Sequence, residues 1–254
     1  MTVGPRIAGI FRYPVKGLSA EPLDRVTLRA GEGLPGDRRF AVAHGASRFD
    51  DDNPGWQKRR EFLVLAQEPR LAALRTGYDE ATGVLTIRWN GRELFRESIE
   101  TPAGRAAAAR FIAEQLGPDD RGPPRIVEAP GVMFTDMEAK LVSILSLASA
   151  RELAAGLGTD VDIRRFRGNL IVDGLEPWRE FDWFGRDLRI GSVRLRVVER
   201  IQRCAATNVN PDTAERDLNI PRFLVQRYGH ADFGVYARVA EGGMIATGDA
   251  LTAA

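Results

Sequence analysis

The chain of 254 residues has one cysteine, two histidines and, besides its arginines, only three lysines, Lys16, Lys58 and Lys140. A single cysteine cannot close an internal disulfide, which excludes a disulfide-stapled fold and fits a reducing compartment. With His44 and His230 as the only imidazoles, a cysteine–histidine nucleophilic centre has just two bases to draw on. His230 follows an expected helix end at Tyr228-Gly229, where capping or turn duty is the ordinary role, and His44 receives the same plain reading. The formal net charge is +1, so there is no electrostatic case for a nucleic-acid partner. No apolar run approaches the roughly 20 residues of a membrane span, and Met1 to Arg6 lacks a signal-peptide apolar stretch. The cytoplasm is the expected location, with no membrane partner. Also missing is a Gly-rich fingerprint after a strand that would hold NADH or a flavin.

What is present is mostly strand-forming. Hydrophobic content of 44% is enough for a core. Strand patterns run over Arg6 to Val15, Arg38 to Ala43, Val84 to Trp89, Leu188 to Ile201 and Asp232 to Ile245, and Asn90-Gly91 is a strong two-residue hairpin signal. Helical patterns cover Arg105 to Leu116, Ser146 to Leu157 and Pro221 to Tyr228, each stopped by glycine. The first half reads as a small barrel or sandwich. Asp119 to Pro124 reads as a connector, and Asp50-Asp51-Asp52 as a solvated loop. Of the 36 basic residues 33 are arginines, so an arginine cluster is weaker evidence for an anion site here than usual, and a lysine is more informative.

Cys204 sits in Arg203-Cys204-Ala205-Ala206-Thr207-Asn208-Val209-Asn210-Pro211, at the end of a β-rich run and just before an Asn-Pro turn. Two readings stay open from this context. Free cysteine commonly packs as a small buried hydrophobe. A thiol at a polar rim beside Arg203, with Arg200 upstream, is instead suited to be a thiolate that holds a soft metal. Arg203 can assist only if the strand has ended before it, because neighbours in a strand point to opposite faces.

The stretch Glu199 to Asp217 fills every fixed position of the pattern R-C-x-x-T-x-V-[DN]-P-x-T-x-x-R-D, with Arg203, Cys204, Thr207, Val209, Asn210, Pro211, Thr213, Arg216 and Asp217. It resembles the signature of the MOSC domain, the molybdenum cofactor sulfurase C-terminal family. Tyr13-Pro14-Val15-Lys16-Gly17-Leu18 and Gly36-Asp37-Arg38-Arg39-Phe40 resemble elements of that family's companion N-terminal β-barrel domain. Arg165-Phe166-Arg167-Gly168-Asn169-Leu170 is similar to the family's R-F-R-P-N-[IL], and Phe233-Gly234-Val235-Tyr236, Gly242-Gly243 and Thr247-Gly248-Asp249 are similar to its closing hairpin. The resemblance implies an α+β, mostly β fold. It would place an N-terminal β-barrel over residues 1–125 and a MOSC β-barrel with a few helices over residues 126–254, enclosing a molybdenum cofactor (molybdopterin) at their junction.

The same resemblance implies a site. Cys204 matches the metal ligand and catalytic position; Lys16, Arg38, Arg165, Arg167, Asn169 and Tyr236 match cofactor-contacting positions, with Ser143 and Thr207 as lesser matches. A soft thiolate suits a thiophilic metal, and arginine forks suit the cofactor's phosphate. If residues 165–167 are extended, alternation sends Arg165 and Arg167 to one side and Phe166 to the other, with Asn169 able to pair with a pterin edge. The implied activity is two-electron reduction of an N-hydroxylated or other oxygenated small molecule, with electrons from a separate donor protein. The alternative is a carrier of the cofactor, or of sulfur as a Cys204 persulfide, without turnover. Three departures stand out: Gly17 replaces the serine of amidoxime-reducing relatives, Gly168 replaces their proline, and the arginine they carry before Pro69 is absent. Arg75 lies outside every motif and is expected to be a solvated arginine.

Overall fold

A computed structural model describes residues 4–253. Among these, the strands are β1 Arg6–Arg12, β2 Glu21–Leu23, β3 Arg25–Leu28, β4 Phe40–Ala43, β5 Arg75–Asp79, β6 Val84–Trp89, β7 Arg92–Ser98, β8 Arg125–Glu128, β9 Val142–Ser146, β10 Leu170–Asp173, β11 Asp187–Ile190, β12 Val193–Gln202, β13 Asp232–Glu241, β14 Gly243–Ala246 and β15 Thr252–Ala253. The helices are α1 Pro102–Leu116, α2 Leu147–Leu157 and α3 Ile220–Tyr228. The fold is α+β and mostly β, and no helix of the described residues is long and apolar enough to cross a membrane.

Local chemistry sets the element ends. Asn90 and Gly91 take φ of 49° and 77°, the left-handed pair that a two-residue hairpin turn needs, and join β6 to β7. Each helix opens on a polar cap: Thr101 Oγ1 accepts from the Gly104 amide at 3.1 Å, Ser146 Oγ from Ser149 at 3.3 Å, and Asn219 Oδ1 from Arg222 at 3.4 Å. The helices begin one to three residues from the positions expected from sequence, because the caps rather than the apolar periodicity fix the first turn.

Eight strands form one sheet in the order β15-β11-β12-β13-β9-β10-β1-β2, which curls into a half-barrel over a shared core. β1 and β2 lie in it beside β10, so the start of the chain is built into the sheet of its end. Three smaller sheets, β5-β6-β7, β4-β8 and β3-β14, flank it. β9 and β10 are parallel and connected through α2. Alternation along β9 sends Val142 and Ile144 into the half-barrel core, while Leu145 packs with Phe166, Phe233 and Leu224 on the other face. In β12 the register shifts between Val197 and Glu199; residues 193, 195 and 197 face the first core, whereas Ile201 joins the second. That change of face aims the end of β12 at the gap between the half-barrel and the residues around β4.

Glu180 is fully buried beneath α2. Its Oε2 accepts from Ser149 Oγ at 2.8 Å, while Oε1 has no partner among the described residues. Burial pushes its carboxyl up to about 7 from 4.5. Between these values the folded chain holds a proton that the unfolded chain has lost, so stability present below pH 4.5 is lost as pH rises through about 7. The expected loss is about 3 kcal/mol. Glu180→Gln should flatten the stability–pH curve over this window relative to wild type, measured by urea denaturation; parallel curves would contradict it.

Candidate functional site

β12 ends at Gln202, and the next two residues leave the sheet. The Arg203 amide donates to the Ala231 carbonyl at 2.8 Å, and Cys204 opens a 3₁₀ turn over Ala205–Asn208. Thr207 fixes the cysteine backbone by donating to the Cys204 carbonyl twice, from its amide at 3.1 Å and from Oγ1 at 2.9 Å. Beyond the turn, Asn210 and Asp217 hold the Asn-Pro loop closed at 2.7 Å, and Asp217 also accepts from the buried Arg165 at 2.8 Å. The polar positions of the signature thus serve first to shape the loop around Cys204.

All nine residues expected at the site, Lys16, Arg38, Ser143, Arg165, Arg167, Asn169, Cys204, Thr207 and Tyr236, line one cavity of about 140 Å³. Lys16 reaches across to the Phe134 carbonyl at 2.8 Å and Asp136 at 2.7 Å. Arg38 donates to the Arg167 carbonyl at 2.7 Å, and Arg167 to the Leu18 carbonyl at 2.6 Å. Both arginines hold left-handed backbone, with φ of 47° and 53°, a conformation that costs a non-glycine residue about 1–2 kcal/mol. Both guanidinium groups lie over the ring of Tyr13, 4.4 and 4.2 Å from its centroid.

Four local expectations change. Residues 163–166 form a 3₁₀ turn capped by Asp162, whose Oδ1 accepts from the Arg164 amide at 2.7 Å, instead of a strand. Phe166 therefore shares the cavity wall with Arg165 and Arg167, stacked on Phe233 at 3.9 Å. Asn169 is committed to the protein: Oδ1 accepts from the Ser143 amide at 3.1 Å and Oγ at 2.8 Å, and Nδ2 donates to the Phe11 carbonyl at 3.2 Å. Arg200 lies over Phe181, 4.3 Å from the ring, and does not line the cavity. Arg75 is no bystander either, since it pairs with Asp212 of the signature loop at 2.7 Å. The two glycine departures have visible consequences: Gly17 has φ of 87°, where a serine would be strained, and a Cβ at Gly168 would lie 2.4 Å from Leu145 side-chain carbons.

The cavity is positively charged beyond what its own carboxylates balance. Burial alone would lower the Arg38 pKa, but Asp37 more than offsets this and raises it. Lys16 is lowered by burial against the pull of Asp136, which its ammonium in turn holds low. Arg167 and Arg203 have no ion pair among the described residues and bond only to backbone carbonyls. Arg167 is pushed down to about 10 by burial and by the neighbouring Arg38. Arg203 is pushed down to about 10 by burial, against the attraction of Tyr236 and Cys204. Burial raises the Tyr236 hydroxyl. Arg165 Nε and Arg167 Nη2 are buried donors without an acceptor. Such a surplus of buried donors suits an anionic partner.

Sequence reasoning passed over Tyr13, Asp37, Asp136 and Asp217 as parts of the site. Tyr13 and Asp37 stand inside the two N-terminal motifs and Asp217 closes the signature, so their positions were signalled; Asp136 lies in no motif and is revealed only by its bond to Lys16.

Comparison with known proteins gives the family. A MOSC domain matches residues 130–252, and a MOSC N-terminal beta barrel domain matches residues 4–122. The chain belongs to the MOSC-domain family. It is 27% identical over 272 residues to a molybdenum cofactor sulfurase of Anopheles gambiae, covering 93% of this chain and 34% of that protein. It is 29% identical over 294 residues to mitochondrial amidoxime-reducing component 1 of Xenopus laevis, covering 96% and 80%. A bovine mitochondrial amidoxime reducing component 2 is 32% identical over 120 residues, 42% of this chain and 35% of its own length. The chain therefore spans about a third of the sulfurase and of the bovine protein.

A cavity lined by Arg167 and Arg203 without carboxylate partners among the described residues predicts a simple response. Inorganic phosphate at ten times its Kd should stabilise the cofactor-free protein by about 1.4 kcal/mol, about 3–5 °C in melting temperature. Arg167→Gln should lose most of that gain. An equal gain in both proteins would contradict the assignment of an anion-binding role to this cavity.

Proposed function

We propose that the chain binds a molybdenum cofactor in this cavity and, with electrons from a separate donor protein, reduces N-hydroxylated or other oxygenated small molecules. The observation that carries the reading is the meeting of one soft ligand with unbalanced positive charge: Cys204 shares a cavity with Arg167 and Arg203, neither of which has a carboxylate partner. A group that presents both a thiophilic metal and a phosphate fits that donor set. The orphaned Arg167 Nη2 offers a further donor to its polar edges. If the chain divides into segments 1–125 and 126–254, both line the cavity, the first through Lys16, Gly17, Arg38, Arg59 and residues 64–66 and the second through the rest. The lone thiol suits a reducing environment, and we place the activity in the cytoplasm.

When bound, the group supplies two-electron oxygen-atom chemistry at its metal. The chain's own residues do the rest. Cys204, held by Thr207, supplies the sulfur ligand; Lys16, Arg38, Arg167 and Arg203 hold the anionic part; Ser143 and Asn169, bonded to one another, keep the wall rigid. Tyr236 keeps its hydroxyl proton, because burial raises its pKa. In the net reaction the N–O bond breaks, two electrons from the donor enter the substrate, and the oxygen leaves as water with two protons. The relatives named amidoxime-reducing components support this reading, and the one named a sulfurase supports the carrier alternative.

Protein from a host that makes the cofactor should reduce a simple amidoxime with reduced viologen and stay inert with NADH alone. Cys204→Ser should lower turnover by at least about a hundredfold while the melting temperature changes by no more than about 3 °C, since thiol and hydroxyl differ little in volume. Full turnover in the serine variant would reject the ligand assignment; no turnover with any donor would favour the carrier.

A further inference from the structure

Beside the first cavity lies a second, of about 220 Å³, and the two share Gly17, Leu65, Arg165, Arg167 and Ala206 as a common wall. We propose that this second cavity is a substrate subsite for the anionic tail of a small organic acid whose N-hydroxylated end enters the first cavity. The inference rests on the reductase reading and adds the substrate class to it.

Four arginines line the second cavity, Arg75, Arg164, Arg165 and Arg167, and no carboxylate does. The rest of its wall is largely apolar, from the Tyr13 ring, Leu18, Leu65, Ala72, Val209 and Pro211. That combination suits a hydrocarbon body ending in an oxyanion. Arg165 is only 5% exposed, and its two terminal nitrogens are held by the Asn208 carbonyl at 3.2 Å and Asp217 at 2.8 Å. Its Nε still has no acceptor among the described residues. A buried charged donor left in that state points to a ligand.

Arg75 and Arg164 come from distant parts of the chain, yet Asp212 clamps both at 2.7 Å from outside the cavity lining, and Asp162 also holds Arg164 at 2.8 Å from Nε, so what the pair offers a ligand is its remaining N–H donors rather than unbalanced charge. The clamp uses one nitrogen of Arg75 and leaves Nε and Nη1 for another partner. The cationic end of the cavity is thus preformed, with little side-chain ordering left for a ligand to cause. Arg165 and Arg167 stand in a motif shared with the family, whereas Arg75 and Arg164 stand in none. The first cavity already offers Arg167 and Arg203 to a cofactor phosphate. The added pair therefore fits a different anion, one chosen by this chain, and a carboxylate-bearing substrate satisfies both cavities at once.

The test compares benzamidoxime with its 4-carboxylate analogue, using protein purified from a cofactor-making host and reduced viologen as donor. The expected kcat/KM is about tenfold or more higher for the carboxylate, expressed in KM, with Arg75→Ala and Arg164→Ala each bringing the ratio to within about twofold of one. A ratio near one in wild type, or a preference that survives both substitutions, overturns the proposal. Calorimetric titration with benzoate and with inorganic phosphate separates the sources of the anion. Benzoate binding that weakens about tenfold in Arg75→Ala supports the subsite. Binding of phosphate alone, insensitive to Arg75, assigns the anion to a free phosphate or the cofactor and overturns it. If neither oxime is turned over, the reductase reading fails, and the benzoate titration still decides whether the subsite exists.

Discussion

Two guanidinium groups of like charge, those of Arg38 and Arg167, share the ring of one buried tyrosine, Tyr13. Much of the site follows from holding them there. Both arginines take left-handed backbone, which turns their side chains inward, and each is tied to the other's neighbourhood, Arg38 to the Arg167 carbonyl and Arg167 to the Leu18 carbonyl. The bonds link the first motif, the second motif and the R-F-R segment into one cluster. The Tyr13 amide adds a bond to Asp37 at 2.8 Å, which places a carboxylate beside Arg38.

The energetics favour an occupied site. Leaving a cation buried without a counter-charge costs several kcal/mol, whereas a cation–π contact returns about 2 kcal/mol even when desolvated. Arg38 has Asp37, Lys16 has Asp136 and Arg165 has Asp217; among the described residues Arg167 and Arg203 have none. The imbalance among these buried groups, about two positive charges, is of the size that a dianion such as a phosphate would balance. Left-handed strain at the two arginines Arg38 and Arg167 is of the kind that concentrates at binding sites. In this view the fold accepts a local penalty and the ligand offsets it.

Much of this was legible in the sequence because the site is made of short motifs whose residue types carry the chemistry. The hairpin at Asn90-Gly91 and the three glycine-stopped helices were equally plain, since turn and cap residues act locally. The misreadings came where tertiary contacts override local pattern. Ile163 to Phe166 looked extended by its charged alternation, but the Asp162 cap turns it into a 3₁₀ turn, and that change puts Phe166 at the cavity wall. Arg75 looked solvated because its partner, Asp212, lies 137 positions away. Asn169 looked free, yet its amide is engaged by Ser143 and Phe11 from two strands that only the sheet order brings beside it. Asp136 carried no motif at all.

The central claim is that Cys204 and the unpaired arginines hold a molybdenum- and phosphate-bearing group. The most direct measurement is the molybdenum and phosphorus content, per chain, of protein purified from a host that makes the cofactor. The account predicts about one atom of each per chain, both falling together when Arg167 and Arg203 are replaced by glutamine. Protein that folds, carries neither element and bears an additional sulfur on Cys204 would contradict it.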